Sequence, residues 1–230
     1  MRSTPQLEPG SFNRFNPLPN PMSHSQPLPP NPQPLTPDFW EGRYQEGTTR
    51  WDLGQPAPPF VTLLDAADAP KPGRIAVLGA GRGHDALLFA DRGFEVVGFD
   101  FAPSAIEAAT AAAQSRGVSA QFLQRDIFDL PAEFAHQFDY VLEHTCYCAI
   151  LPEQREDYVY LVRSILRPHG ELIALFWAHN RPGGPPFGTS PDEILQRFSP
   201  AFEIVSIVQP TNSIESRKDE EYLVRLRAKK

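Results

Sequence analysis

Val77-Leu78-Gly79-Ala80-Gly81-Arg82-Gly83-His84-Asp85 joins an aliphatic run to the start of a helical pattern, and the reading of the whole chain turns on these nine residues. Upstream, residues 74–80 read as a buried strand entered from Pro72-Gly73; downstream, residues 84–92 carry the apolar spacing of a helix. A glycine-rich loop in that setting lets a ligand approach the backbone closely. The spacing is G-x-G-x-G, with His84 standing where the third glycine of the dinucleotide fingerprint G-x-G-x-x-G would fall. A pyrophosphate at the helix N-terminus therefore loses support, and a ligand without phosphate gains it.

Outward from this loop the chain keeps a rhythm. Residues 95–100 read as a strand, 103–116 as an alanine-rich helix ended by Gly117, and 120–124 and 138–143 as strands. An amphipathic helix is expected over 153–166, stopped by Pro168 and Gly170, then a strand over 171–177, a helix over 191–198 and strands over 202–208 and 221–227. Strands and helices alternating at this size predict an α/β fold with a mostly parallel seven-stranded sheet and helices on both faces. The last two strands are joined only by a polar connection around residues 212–220, so that final pair is expected to be antiparallel.

Asp100 closes the second strand twenty-one residues after Gly79, where a carboxylate reaches the two hydroxyls of a ribose. Asp126, followed by Ile127, comes just past the third strand, in place for an adenine edge. Each feature alone has a plain structural alternative, a tight turn for the glycines and a helix cap for an aspartate. Their order and spacing together point to a nucleoside.

Composition narrows the class further. The chain has 230 residues, 41% hydrophobic and 21% charged, with a net charge of −7. That balance predicts a folded domain and argues against nucleic-acid binding through a basic field. The longest apolar run, residues 172–178, is far short of the ~20 residues that cross a bilayer, and no apolar segment follows Arg2, so neither a membrane span nor a secretory signal peptide is expected. A cytoplasmic, monomeric protein with reduced Cys146 and Cys148 is the expectation. Of the 26 prolines, eleven fall within residues 1–37, which read as a disordered or polyproline II leader, either a passive tail or a docking segment. Residues 38–230 form the catalytic domain in this reading, beginning with an aromatic-rich stretch that holds Phe39, Trp40, Tyr44, Trp51 and Phe60.

With these residues in view, the chain resembles the Rossmann-like, class I S-adenosylmethionine-dependent methyltransferases, within them the thiopurine S-methyltransferase and plant halide/thiol methyltransferase branch. Val77, two positions before the first loop glycine, replaces the acidic residue usual elsewhere in the class, as in that branch. Phe89-Ala90-Asp91-Arg92-Gly93, Ile127-Phe128-Asp129-Leu130-Pro131, Trp51-Asp52-Leu53-Gly54, Cys148-Ala149-Ile150 and Gly184-Pro185-Pro186-Phe187 match it too. The resemblance implies that Trp40, Tyr44 and Trp51 fold over the cofactor as a lid, the indole faces suiting a sulfonium. It implies that Gly79 and Gly81 line the cofactor's amino-acid end, Asp100 holds the ribose, and Asp126 with Ile127 meets the adenine.

The reacting end is expected at the end of the fourth strand, in Glu143-His144-Thr145-Cys146-Tyr147-Cys148. Glu143 is a candidate contact for the cofactor's amino group or a proton acceptor, His144 a candidate base, and Tyr147 a wall of the methyl site. Cys146 and Cys148 read as packed side chains rather than metal ligands. Arg155 matches a substrate-side arginine of the thiopurine enzymes, and the loop from Arg181 to Phe187 matches the family's substrate cover. The implied reaction is methyl transfer from S-adenosylmethionine, giving S-adenosylhomocysteine, to a small-molecule soft nucleophile such as a thiol, hydrosulfide, thiocyanate, halide or thiopurine. The alternatives are a small-molecule O- or N-methyltransferase and a non-catalytic S-adenosylmethionine-binding module.

Overall fold

The computed structural model describes residues 35–230; the proline-rich leader of residues 1–37 lies almost wholly outside them. Thr36 already caps the first helix, accepting from Phe39 N–H at 3.3 Å. The helices are α1 (Pro37–Gln45), α2 (Pro58–Asp65), α3 (His84–Asp91), α4 (Pro103–Arg116), α5 (Leu130–Phe134), α6 (Arg155–Ile165) and α7 (Pro191–Phe198). The strands are β1 (Arg74–Leu78), β2 (Glu95–Asp100), β3 (Ala120–Gln124), β4 (Phe138–His144), β5 (Leu166–Trp177), β6 (Phe202–Val208) and β7 (Glu221–Ala228).

The seven strands form one sheet in the order β3-β2-β1-β4-β5-β7-β6. β7 runs antiparallel to both β5 and β6, and the remaining pairs are parallel. The chain returns outward from β1 in one direction and from β4 in the other, so the crevice at the carboxyl ends of β1 and β4 is the switch point where such sheets bind ligands. One face of the sheet is sealed by Phe60, Leu87, Phe89, Ala109 and their neighbours, the other by Tyr158, Leu161, Val162, Ile165 and Phe198. The alternating burial of α6, with Tyr158, Val159, Leu161, Val162 and Ile165 inward, is what its amphipathic spacing predicts.

The expectations hold for order and type, and boundaries shift locally. β1 stops at Leu78 because Gly79, Gly81 and Gly83 all adopt left-handed φ (59°, 54° and 80°), so the G-x-G-x-G spacing places a glycine wherever the turn needs one. β5 begins at Leu166, so Pro168 and Gly170 fall inside an irregular first half of the strand rather than in a loop, beside a register shift between Phe138 and Tyr140. The aromatic stretch before β1 contains two helices, α1 and α2, for which proline at the first turn is the clearest local signal.

Candidate active site

A cavity of about 610 Å³ opens over the carboxyl ends of the central strands. Its floor is built by Gly79 and Asp100, ending β1 and β2, and by Thr145, Cys146 and Cys148, which follow β4. A side chain at Gly79 would bring its Cβ to 3.1 Å from Cys146 Cβ, so the floor depends on a bare backbone there. Ile127 and Phe128 form one wall, and Trp40, Tyr44 and Trp51 close the cavity from α1 and the loop after it. Trp51 meets Trp40 and Tyr44 edge to face, at 5.4 and 5.7 Å between ring centroids.

Asp100 is buried and faces this space. One carboxylate oxygen accepts from Gly81 N–H at 2.8 Å and the other from Ala102 N–H at 3.0 Å, which fixes the orientation of the group while leaving each oxygen further acceptor capacity. Burial pushes its carboxyl up from the usual range, and the backbone bonds from Ala102 and Gly81 oppose that shift. The donor set fits S-adenosylmethionine: an oriented carboxylate for a ribose diol, apolar Ile127 and Phe128 for an adenine, aromatic rings for a sulfonium.

The lid is tied to the body at several polar points. Glu41 on α1 accepts from Ser104 N–H at 3.0 Å and from Ser104 Oγ at 2.5 Å. Asp52 pairs with Arg82 and His84 of the glycine loop at 2.8 and 3.1 Å. Ala57 N–H donates to Asp85 at 2.7 Å, and the Trp51 carbonyl accepts from Arg217 at 3.1 Å.

Several expected catalytic residues stand elsewhere. His144 lines a smaller recess with Gly81, Asp85 and Arg82. Its Nδ1 lies 2.7 Å from Asp85 and its Nε2 2.9 Å from Arg217 Nη1. An arginine only donates, so Nε2 accepts and Nδ1–H donates to Asp85. The imidazole thus has no free lone pair to take a substrate proton, which corrects the reading of His144 as a base. Glu143 is 1% exposed and outside the cavity lining; its Oε1 accepts from Cys146 and Tyr147 N–H, both at 2.9 Å, while Oε2 has no partner. Burial raises its carboxyl to about 7, against those same hydrogen bonds. Glu143 therefore shapes the loop that carries the two cysteines.

Tyr147, expected as a wall of the methyl site, is not among the residues that line the cavity. Its ring packs against Tyr158 and Phe176 in the core, with the Arg155 guanidinium 4.8 Å from its centroid. Arg155 is 2% exposed and also stands behind the cavity, bonding Glu193 Oε1 at 2.8 Å and the Gly188 carbonyl at 2.9 Å. Its charge is matched there by Glu193, and Arg155, expected on the substrate side, is not among the residues that line the cavity. Pro185 and Pro186 of that cover do line the cavity, and Phe187 N–H bonds the Cys148 carbonyl at 2.7 Å. Asp126 caps the turn after β3 through Phe128 N–H at 2.9 Å, so of that pair only Ile127 faces the cavity.

Sequence reasoning missed Trp177, Arg43, Arg50 and Arg125, all of which line the cavity, and had Arg181, which lines it too, only as the start of the cover loop. Trp177 ends β5, and the rule that ligands gather at strand carboxyl ends would have found it. Cys146 and Cys148 line the cavity on either side of inward-packed Tyr147, and the small-large-small alternation was the available signal.

Together, the sheet order, the glycine turn after β1 and the buried aspartate ending β2 define a class I S-adenosylmethionine-dependent methyltransferase. More narrowly, the chain belongs to the thiopurine S-methyltransferase family, whose model matches residues 35–229. It is 35% identical over 190 residues to probable thiol methyltransferase 2 of Arabidopsis thaliana, covering 81% of this chain and 83% of that protein. Against thiocyanate methyltransferase 1 of Brassica oleracea it is 34% identical over 202 residues, covering 84% and 86%. Among solved structures, the 1,6-didemethyltoxoflavin-N1-methyltransferase of Burkholderia thailandensis, with bound 1,6-didemethyltoxoflavin and S-adenosylhomocysteine, shares the fold at a TM-score of 0.63 and 18% identity, covering 84% of this chain and 87% of that one.

Proposed function

We propose that this chain transfers the methyl group of S-adenosylmethionine to a small, soft nucleophile: a thiol, hydrosulfide, thiocyanate, halide or thiopurine-like thiol. The observation that carries the reading is the character of the cavity. An oriented carboxylate and aromatic rings serve the cofactor, yet among the described residues no histidine, lysine or glutamate lines the space beside them. When bound, S-adenosylmethionine supplies an activated methyl on a sulfonium, so the chain's own task is positioning and exclusion of water. Asp100, Gly79 and Ile127 would hold the nucleoside, Gly81 and the glycine loop the amino-acid end, and Trp40, Tyr44 and Trp51 the sulfonium. The cover, braced by Arg155, and the thiols Cys146 and Cys148 would bound a dry pocket for the acceptor. Hard oxygen or nitrogen nucleophiles need a committed base, and His144 and Glu143 both stand outside the cavity lining.

A cytoplasmic setting belongs to this reading and is supported by two cysteines that are free and buried; no helix among the described residues is long and apolar enough to cross a membrane. The test is release of S-adenosylhomocysteine in the presence of iodide, thiocyanate, hydrosulfide, a thiophenol, a thiopurine, a catechol and an amine. Turnover confined to sulfur and halide acceptors is expected; turnover of the catechol or amine alone would refute the proposal.

A further inference from the structure

Resting on the proposed reading of the cavity as a soft-nucleophile pocket, one feature of its lining remains unassigned. Arg43, Arg50, Arg125 and Arg181 line it, against a single carboxylate, Asp100, in a chain whose net charge is −7. Two of the four are neutralised: Arg125 forks onto Glu133 at 2.9 and 3.2 Å, and Arg181 onto Glu220 at 2.6 and 2.8 Å. Arg43 and Arg50 have no carboxylate partner among the described residues. Arg43 lies over the Phe39 ring at 5.0 Å, and Arg50 is exposed beside Trp51. Both belong to α1 and the loop after it, so their uncompensated charge is held at the cavity.

We propose that Arg43 and Arg50 are specificity-determining residues that select the acceptor by negative charge, so that the nucleophile enters as an anion. The chemistry of the site agrees. Apart from Asp100, assigned above to the nucleoside, no carboxylate, histidine or lysine among the described residues lines the cavity to deprotonate a neutral thiol, and a nucleophile arriving already anionic needs no proton removed. In the displacement the acceptor's lone pair forms the new bond to the methyl carbon as the old carbon–sulfur bond breaks, its electron pair returning to the departing sulfur. An anion and a cation become two neutral products, and no proton, oxidant or co-reactant is required. The arginines therefore hold the acceptor before transfer and have no charge to hold afterward, which favours release of the methylated product. Fixed positive charge at a cleft mouth also raises the arrival rate of an anion in a salt-dependent manner.

The experiment uses the full chain saturated with S-adenosylhomocysteine. Thiocyanate and its neutral methylated counterpart, methyl thiocyanate, are titrated by NMR of the 13C-labelled compounds into wild type, the Arg43→Ala/Arg50→Ala pair and the Arg43→Lys/Arg50→Lys pair. Thiocyanate affinity is expected to fall about tenfold or more in the alanine pair and to return to within about threefold of wild type in the lysine pair. Methyl thiocyanate affinity is expected to be alike in all three. The lysine pair separates loss of charge from loss of fold. Equal thiocyanate affinity in wild type and the alanine pair would overturn the proposal. So would an equal loss for the neutral compound, which marks a steric role. So would a fall in S-adenosylhomocysteine affinity with thiocyanate binding to the saturated protein unchanged, which assigns the arginines to the cofactor's carboxylate. Failure of the wild type to turn over any sulfur or halide acceptor is a separate readout and would count against the proposed function instead.

Discussion

Replacing Glu143 by glutamine is expected to remove a pH-dependent cost from the fold. The carboxyl is 1% exposed, one oxygen accepts two backbone N–H bonds and the other has no partner. Burial raises it from an ordinary 4.5 to about 7. Between those values the folded protein keeps a proton that the unfolded chain has released, so stability is fully present below pH 4.5 and is lost as pH rises through about 7. At about 1.36 kcal/mol for each pH unit, the loss is about 3 kcal/mol. Glutamine keeps the oxygen that accepts from Cys146 and Tyr147, stays neutral, and carries no such dependence. Urea unfolding of both proteins at pH 4.5, 6, 7 and 8 should show near-equal stability at the acid end and the glutamine variant ahead by about 3 kcal/mol at pH 8. A difference that stays flat from pH 4.5 to 8 would refute the reasoning, because it would mean that Glu143 is not held protonated by its surroundings.

Three further outcomes follow from the geometry. Asp100→Ala should weaken S-adenosylmethionine binding by at least about a hundredfold in calorimetry, with Asp100→Asn intermediate because it retains an oxygen for a backbone N–H while losing the charge; wild-type affinity in the alanine variant would remove Asp100 from the site. Arg155→Ala leaves the Gly188 carbonyl and Glu193 without their buried partner and should cost about 3 kcal/mol in urea unfolding, with the acceptor KM rising more than that for S-adenosylmethionine as the cover loosens; a loss below about 1 kcal/mol would contradict the bracing role. Glu41 is held below the ordinary carboxylate range by its hydrogen bonds from Ser104, so its clamp on the lid is present above pH 4.5 and lost as pH falls through the lower folded value. Tryptophan fluorescence should report lid loosening at acid pH in wild type and at every pH in Glu41→Ala, and identical acid profiles would exclude Glu41 as the clamp.

The sheet was legible because its strands are short aliphatic runs punctuated by glycine and proline, and β2, α4 and β3 match their expected bounds residue for residue. This part of the cavity lining was legible for a related reason: Gly79, Asp100 and Ile127 occupy positions set by backbone geometry and by strand ends. The acceptor side was not. Whether Arg155 or Arg50 faces a ligand depends on which of them finds a carboxylate across a long sequence separation, as Arg155 finds Glu193. Local pattern carries no trace of that pairing. His144 illustrates the same limit: its neighbours in sequence say nothing of Asp85 and Arg217, which fix both ring nitrogens.

The anchoring of the lid has a consequence for how the catalytic cycle is timed. Glu41 grips Ser104 of α4, the Trp51 carbonyl holds Arg217 just before β7, and Asp52 with the Ala57 N–H holds the adjoining Arg82, His84 and Asp85 where the glycine loop enters α3, three separate parts of the body. A flap fastened at one edge frays open gradually; one fastened at three separate places opens as a unit or stays shut. Were this segment to open as a unit, used cofactor and methylated product would leave through one shared opening event.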